Sequence, residues 1–214
     1  KESKGIVIVS VDVGMEVEEV VEKMGGKIVR SKLGKQHEKL KELGGKAVLA
    51  AEPWKLIDPS WGPWVDGIYQ AALLSRISLE TGLRPVDLIR SLPFYPSARL
   101  SIKFSSDREK KEVFQKSREE IGSKLAGENA DILNIDGIRV QLEEGSWLLL
   151  RASGTEPKVR IYAQSRDPKK LADLVEKAKM IVLSTARGLD VKVLGLEEYV
   201  DDRPPRPGSL ESIF

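Results

Sequence analysis

Ile6-Val-Ile-Val9 is an unbroken apolar run built from β-branched residues. A run with no polar alternation belongs to a strand covered on both faces, which is the situation inside a parallel sheet with helices above and below. The residues that follow keep that company. Over residues 15–24 the apolar side chains Val17, Val20, Val21 and Met24 fall on one side of a helix, and Gly25-Gly26 supplies its stop. Lys27-Ile-Val-Arg30 reads as a second strand, residues 36–43 as a short charged helix closed by Gly44-Gly45, and Ala47-Val-Leu-Ala50 as a third strand. Residues 66–80 give the longest apolar helix, with Ile68, Ala71, Ala72, Leu74 and Ile77. Strand and helix in alternation predict a parallel α/β layer.

The rhythm changes beyond Gly82. A helix with Pro85 at its start runs to Leu92, and Pro93-Phe-Tyr-Pro96 is a breaker-rich link. Residues 97–105 alternate apolar and polar, as a strand with one wet face does, and residues 109–125 form a charged helix. Short strands are expected at 130–135, 138–142, 147–150 and 159–163. Asp136-Gly137 and Glu144-Gly145 serve as hairpin turns, and an amphipathic helix covers 168–186. The expectation is an α/β domain over residues 1–92, an α+β domain over 97–188, and a tail over 189–214. The tail is rich in proline around Arg203-Pro-Pro-Arg-Pro-Gly208.

Composition removes several classes of function. The 214 residues are 41% hydrophobic and 32% charged, enough for a real core, and the net charge is only +2. Basic and acidic residues are interleaved, as in Glu16-Val-Glu-Glu19 and Lys39-Leu-Lys-Glu42. Nucleic-acid surfaces need clustered positive charge, so no nucleic-acid partner is expected. The absence of cysteine excludes disulfides and thiolate zinc sites and fits a cytoplasmic setting. A single histidine, His37, argues against histidine-rich metal sites and Ser-His-Asp triads. No apolar run approaches the roughly 20 residues that cross a bilayer, so no membrane partner is expected.

Chemistry concentrates in one decapeptide, Arg151-Ala-Ser-Gly-Thr-Glu-Pro-Lys-Val-Arg160, set between two strand signals. Glycine and small hydroxyl residues expose backbone N–H groups, and such nests bind anions. Arg151 and Arg160 flank the loop with planar forks that match phosphate oxygens, and Ser153 and Thr155 add hydroxyl donors. The set is chemically complete for a phosphate dianion. On these residues alone, a hairpin loop with two surface arginines fits equally well.

The decapeptide resembles the phosphate-binding loop in the last domain of the α-D-phosphohexomutases, in the style of the phosphoglucosamine mutases, where glycine follows the serine. Asp136-Gly-Ile-Arg-Val-Gln-Leu-Glu-Glu-Gly-Ser-Trp147 also matches that domain. Upstream, Gly25-Gly-Lys-Ile-Val-Arg-Ser-Lys-Leu-Gly34, Ala50-Ala-Glu52, Asp66-Gly-Ile-Tyr-Gln-Ala-Ala-Leu-Leu74 and Leu92-Pro-Phe-Tyr-Pro96 resemble the third domain and its link to the fourth. About residues 5–187 are covered. The resemblance implies a fold of a phosphohexomutase α/β domain followed by the family's C-terminal α+β domain. It implies that Arg151, Ser153, Gly154, Thr155 and Arg160 hold the substrate phosphate that is not transferred, that Glu52 binds the sugar, and that phosphosugars are the substrate. After Glu52 the chain reads Pro53-Trp-Lys-Leu56, where the family has a serine, a glycine and a histidine. Trp54 there either stacks on a sugar or fills a core, the commoner fate of a tryptophan. Trp61 and Trp64 nearby allow an aromatic-lined cleft, and Lys35 is read as a solvated lysine.

The family's phosphoserine loop and its magnesium-binding aspartate loop have no counterpart in the sequence. The resemblance therefore implies magnesium, a hexose bisphosphate activator and a nucleophile supplied by the N-terminal half of the mutase, as the same longer chain or a separate subunit. The expected activity is interconversion of hexose 1- and 6-phosphates by the complete enzyme. The alternative is a non-catalytic phosphosugar-binding or regulatory module.

Overall fold

The computed structural model describes residues 5–126, 130–142 and 145–201, and it divides into two compact units between Phe94 and Tyr95. That boundary falls inside the Pro93–Pro96 link. The expected turn residue Glu144 and the proline-rich stretch 203–208 lie outside the described residues.

The first unit contains β1 (Ile6–Ser10), α1 (Met15–Lys23), β2 (Lys27–Ser31), α2 (Gln36–Leu43), a 3-10 turn (Gly44–Lys46), β3 (Ala47–Glu52), β4 (Lys55–Ile57), α3 (Gly67–Thr81) and α4 (Pro85–Ser91). The sheet order is β2-β1-β3-β4. β1 pairs in parallel with β2 and β3, while β4 runs antiparallel to β3. The central place of β1 explains its unbroken apolar sequence. Val7 and Val9 pack with Val13 and the α1 residues Val17 and Val21. Ile8, on the other face, packs with Leu40 of α2, Ala47, Ala50 and Ile57. Asp66 caps α3 by accepting from the N–H groups of Ile68 and Tyr69, and Gly82 closes it in a left-handed conformation. α3 has no buried residue among its 15.

Two features of this unit differ from the sequence expectation. β4, a strand of three residues, is not among the strands expected from the sequence. Trp54 was offered as core filling, but it stands at the β3–β4 turn with φ of 71° and is 89% exposed. A left-handed conformation is uncommon for a bulky residue, and the turn tip leaves the indole in solvent.

The second unit contains β5 (Ser97–Lys103), α5 (Asp107–Lys124), β6 (Asp131–Leu133), β7 (Ile138–Leu142), β8 (Ser146–Ala152), β9 (Lys158–Gln164), α6 (Pro168–Gly188) and β10 (Gly195–Asp201). Its strands form one antiparallel sheet in the order β10-β5-β9-β8-β7-β6. Alternate residues such as Leu100, Leu148, Leu150 and Ile161 bury against α5 and α6 through Val113, Ile121, Val175 and Val182. With a period of two, Arg151 and Arg160 belong to the opposite face. The stretch expected as a tail contains β10, which pairs with β5 from Gly195↔Lys103 to Asp201↔Ser97. It is an edge strand, mostly exposed and carrying Glu197, Glu198 and Asp201, so it lacks the apolar alternation that marks a strand in sequence.

Among the described residues no helix is long and apolar enough to cross a membrane.

Candidate phosphate-binding site

The β8–β9 hairpin builds the site. Its register sets Arg151 opposite Arg160 and Ala152 opposite Val159, and Ser153 N–H donates to Lys158 O at 2.9 Å to close the loop. Two like charges directly opposite on neighbouring strands repel. Each is offset by one acid: Arg151 Nε donates to Asp136 Oδ2 at 2.8 Å, and an Arg160 Nη donates to Glu156 Oε2 at 2.8 Å. A guanidinium has five N–H donors, so one acid does not exhaust either fork. The Arg151 side chain is only 11% exposed and lies against Asp136 of the β6–β7 turn, so the alternative of two surface arginines does not describe it; Arg160 is 28% exposed.

Charge in the loop is firmly set. Lys158 and then Arg160 hold the Glu156 carboxyl below its usual range. Burial works against the Arg160 cation, but the Tyr162 hydroxyl and Glu156 outweigh it and raise the group above its usual value. Arg160 therefore stays cationic at any working pH.

The loop backbone is tied down from one side. Phe104 N–H donates to Pro157 O at 2.8 Å. Lys110 Nζ donates to Ser153 O at 2.8 Å and Glu156 O at 3.2 Å, and pairs with Asp107 at 2.6 Å. The N–H groups of Gly154, Thr155 and Glu156 make no hydrogen bond to any described residue, nor do the hydroxyls of Ser153 and Thr155. All five expected phosphate residues thus lie on one hairpin, with the carbonyls of Ser153, Glu156 and Pro157 engaged and the N–H groups of Gly154, Thr155 and Glu156 open. Lys110 and Phe104 were not foreseen. Lys110 is one cation among several in Arg108-Glu-Lys-Lys111, and no local signal separates it from a solvated neighbour.

Gly154 is not in a left-handed conformation, and a Cβ placed on it would meet nothing within 4 Å. The fold does not need this glycine, and its open side leaves room for a ligand against the backbone. Gly154→Ala is expected to leave stability unchanged or raise it by up to about 1 kcal/mol, through the unfolded chain. It should weaken inorganic phosphate binding several-fold. Thermal unfolding and calorimetric titration on the same sample check both signs.

Glu52 lies in the other unit, at the end of β3. It is 8% exposed, accepts from Gly34 N–H at 2.7 Å and pairs with Lys55 Nζ at 2.7 Å. Burial raises its pKa, but Lys55, Gly34 and Gln36 overcome that and the group titrates below its usual range. A depressed pKa stabilises the fold above the unfolded value, about 4.3 for glutamate, and that contribution fades as pH falls through the folded value. Glu52→Gln should therefore lose less thermal stability than the parent between pH 6 and pH 3. Equal losses would contradict the role given to the Gly34 and Lys55 contacts. Trp61 stacks on Tyr69 with centroids 5.0 Å apart and donates to Asp66 at 3.1 Å, so it braces the start of α3. Lys35 is exposed and paired with Glu38.

Among the described residues, no three acidic or histidine side chains stand close enough to hold a metal ion. The magnesium implied by the resemblance therefore finds no ligand set among the described residues.

The C-terminal-domain model of the phosphoglucomutase/phosphomannomutase family matches residues 105–179, a stretch that contains the whole loop. A phosphopentomutase from Thermococcus kodakarensis is 40% identical over 175 residues, covering 81% of this chain and 38% of its own length. A probable phosphoglucosamine mutase from Methanosarcina acetivorans is 37% identical over 189 residues, covering 85% of this chain and 39% of its own. The chain thus spans about two fifths of the curated relatives it matches. A phosphoglucomutase/phosphomannomutase family protein from Burkholderia thailandensis shares the fold with a TM-score of 0.69 at 23% identity, over 88% of this chain and 39% of that one. The N-acetylphosphoglucosamine mutase of Aspergillus fumigatus, solved with GlcNAc-6P and magnesium, does so at 0.57 and 13%. The chain belongs to the phosphoglucomutase/phosphomannomutase family of α-D-phosphohexomutases and matches the C-terminal portion of its longer members.

Proposed function

We propose that this chain is the substrate-binding part of a sugar-phosphate mutase that interconverts hexose 1- and 6-phosphates. In this reading, Arg151, Ser153, Gly154, Thr155 and Arg160 grip the phosphate that is not being transferred. The observation that carries the reading is the loop itself: two cross-strand cations beside three unengaged backbone N–H groups. Such a grip orients the sugar so that its other phosphate lies in line with a nucleophile, and orientation of this kind is a large part of phosphoryl-transfer catalysis. Glu52 is assigned to the sugar, because a carboxylate has about four acceptor sites and Gly34, Lys55 and Gln36 do not fill them all. The phosphoserine and the magnesium site are assigned to further chain, either contiguous or separate. The surface of α3 supports that assignment. α3 carries only Arg76 and Glu80 as charges, yet none of its residues is buried. A helix apolar around its circumference normally packs on more than one side.

Pro53-Trp-Lys-Leu56, in place of the family's serine, glycine and histidine, favours the second reading, a phosphosugar-binding module without catalysis. Turnover separates the two. With magnesium and a hexose bisphosphate, the isolated chain should not convert glucose, mannose or glucosamine phosphates, nor the pentose phosphates suggested by its phosphopentomutase relative. Adding a polypeptide that bears the serine and aspartate loops should restore activity. Failure of that mixture supports the binding-module reading. Turnover by the chain alone would overturn both.

A further inference from the structure

Lys110 is the least expected cation in the second unit. It sits in the first turn of α5, and its side chain is only 6% exposed. Its Nζ donates to Asp107 Oδ1, Ser153 O and Glu156 O. An ammonium has three donors, so the group is fully used. Two of those bonds reach across 43 and 46 residues of sequence into the phosphate loop.

The consequence follows from peptide geometry. Among the described residues there is no cis peptide bond, and in a trans peptide the C=O and the following N–H point in opposite directions. With Ser153 O held inward on Lys110, Gly154 N–H must face outward. The second bond costs no donor, because the peptide after Glu156 belongs to Pro157, which has no N–H. Phe104 N–H takes Pro157 O on the same side. The carbonyls of Ser153, Glu156 and Pro157 are thus engaged by Lys110 and Phe104, and the Gly154 N–H is turned away from Lys110.

We propose that Lys110 is a positioning residue of the anion site. It sets the orientation of the Ser153–Gly154 peptide so that the Gly154 N–H meets the bound phosphate. The proposal rests on the reading of the loop as a phosphate site.

The test compares the parent chain with Lys110→Met, which fills similar space without charge or donors, and with Lys110→Arg, which keeps both. Inorganic phosphate is the probe, followed by calorimetry and by the Gly154 amide signal in a nitrogen-15-labelled sample. In the parent, phosphate should bind and move the Gly154 amide. In Lys110→Met, affinity should fall tenfold or more and the Gly154 amide should stop responding, while signals from the β5 and β9 strands stay in place. Lys110→Arg should recover most of the loss, which a purely space-filling role would not require. Phosphate binding by Lys110→Met within twofold of the parent overturns the proposal and leaves the site reading intact. No phosphate response in the parent overturns the site reading, and the proposal with it. If Lys110→Met does not fold, the parent decides: the Lys110 ammonium signal must shift when phosphate is added, and a static signal overturns the proposal.

Discussion

Replacing Arg151 with alanine is expected to cost the chain at least tenfold in affinity for inorganic phosphate and for hexose phosphates, and to destabilise it as well. The first effect comes from losing one of two cationic forks, since charge-assisted hydrogen bonds are each worth about 1.5–3 kcal/mol. The second follows from the structure and was not expected from the sequence, which suggested a solvent-facing side chain. Arg151 is nearly covered and bonds Asp136 at 2.8 Å. Its removal leaves that carboxylate short of its cation at a turn next to the site, at a cost of about 1–3 kcal/mol. Arg151→Ala with Asp136→Asn should recover much of the stability and none of the binding. Urea unfolding and calorimetry on the two variants separate the effects. Unchanged phosphate affinity in Arg151→Ala would remove Arg151 from the site.

Phe104→Ala should have the reverse profile. Phe104 is among the largest fully buried side chains of the second unit, and it directly follows β5 where the chain turns toward α5. Truncating such a side chain leaves a cavity and costs about 3–5 kcal/mol. Its contact with the loop is made by the backbone N–H to Pro157 O, which alanine retains. Phosphate affinity measured well below the unfolding midpoint should therefore stay within a few-fold of the parent. A tenfold loss of binding would mean that the Phe104 ring, and not its amide, holds the loop. A loss of stability under about 1 kcal/mol would contradict the packing described for this core.

The contrast between these residues shows what the sequence could and could not reveal. β1 was legible because a central strand with helices on both faces needs apolar residues at every position. β8 was legible because Trp147-Leu-Leu-Leu150 is an unbroken apolar run, buried at every position, and β9 because apolar residues dominate Val159–Ala163 between the loop and the next helix. The loop was legible because arginine, serine, glycine and threonine keep their chemistry wherever the hairpin puts them. β10 was not, because an edge strand with one partner needs little apolar alternation. Trp54 was not, because nothing in Pro53-Trp-Lys55 marks a left-handed turn, a conformation usually given to glycine. Lys110 was invisible for a different reason. Its role depends on a crossing of α5 and the loop that only the three-dimensional sheet creates, while in sequence it resembles any lysine on a charged helix. The same limit applies to Arg151: its residue type announced phosphate, but its burial depends on where the Asp136 turn comes to rest.

The central claim is that the loop from Arg151 to Arg160 holds a substrate phosphate. Titrating the nitrogen-15-labelled chain with glucose 6-phosphate, and separately with inorganic phosphate, tests it most directly. The account expects saturable shifts, at millimolar ligand or below, in the amides of Gly154, Thr155 and Glu156 and in the side-chain signals of Arg151 and Arg160, with both ligands converging on that set. Shifts that never saturate, or that fall on the surface of α6 or the β10 edge and spare the loop, would contradict it.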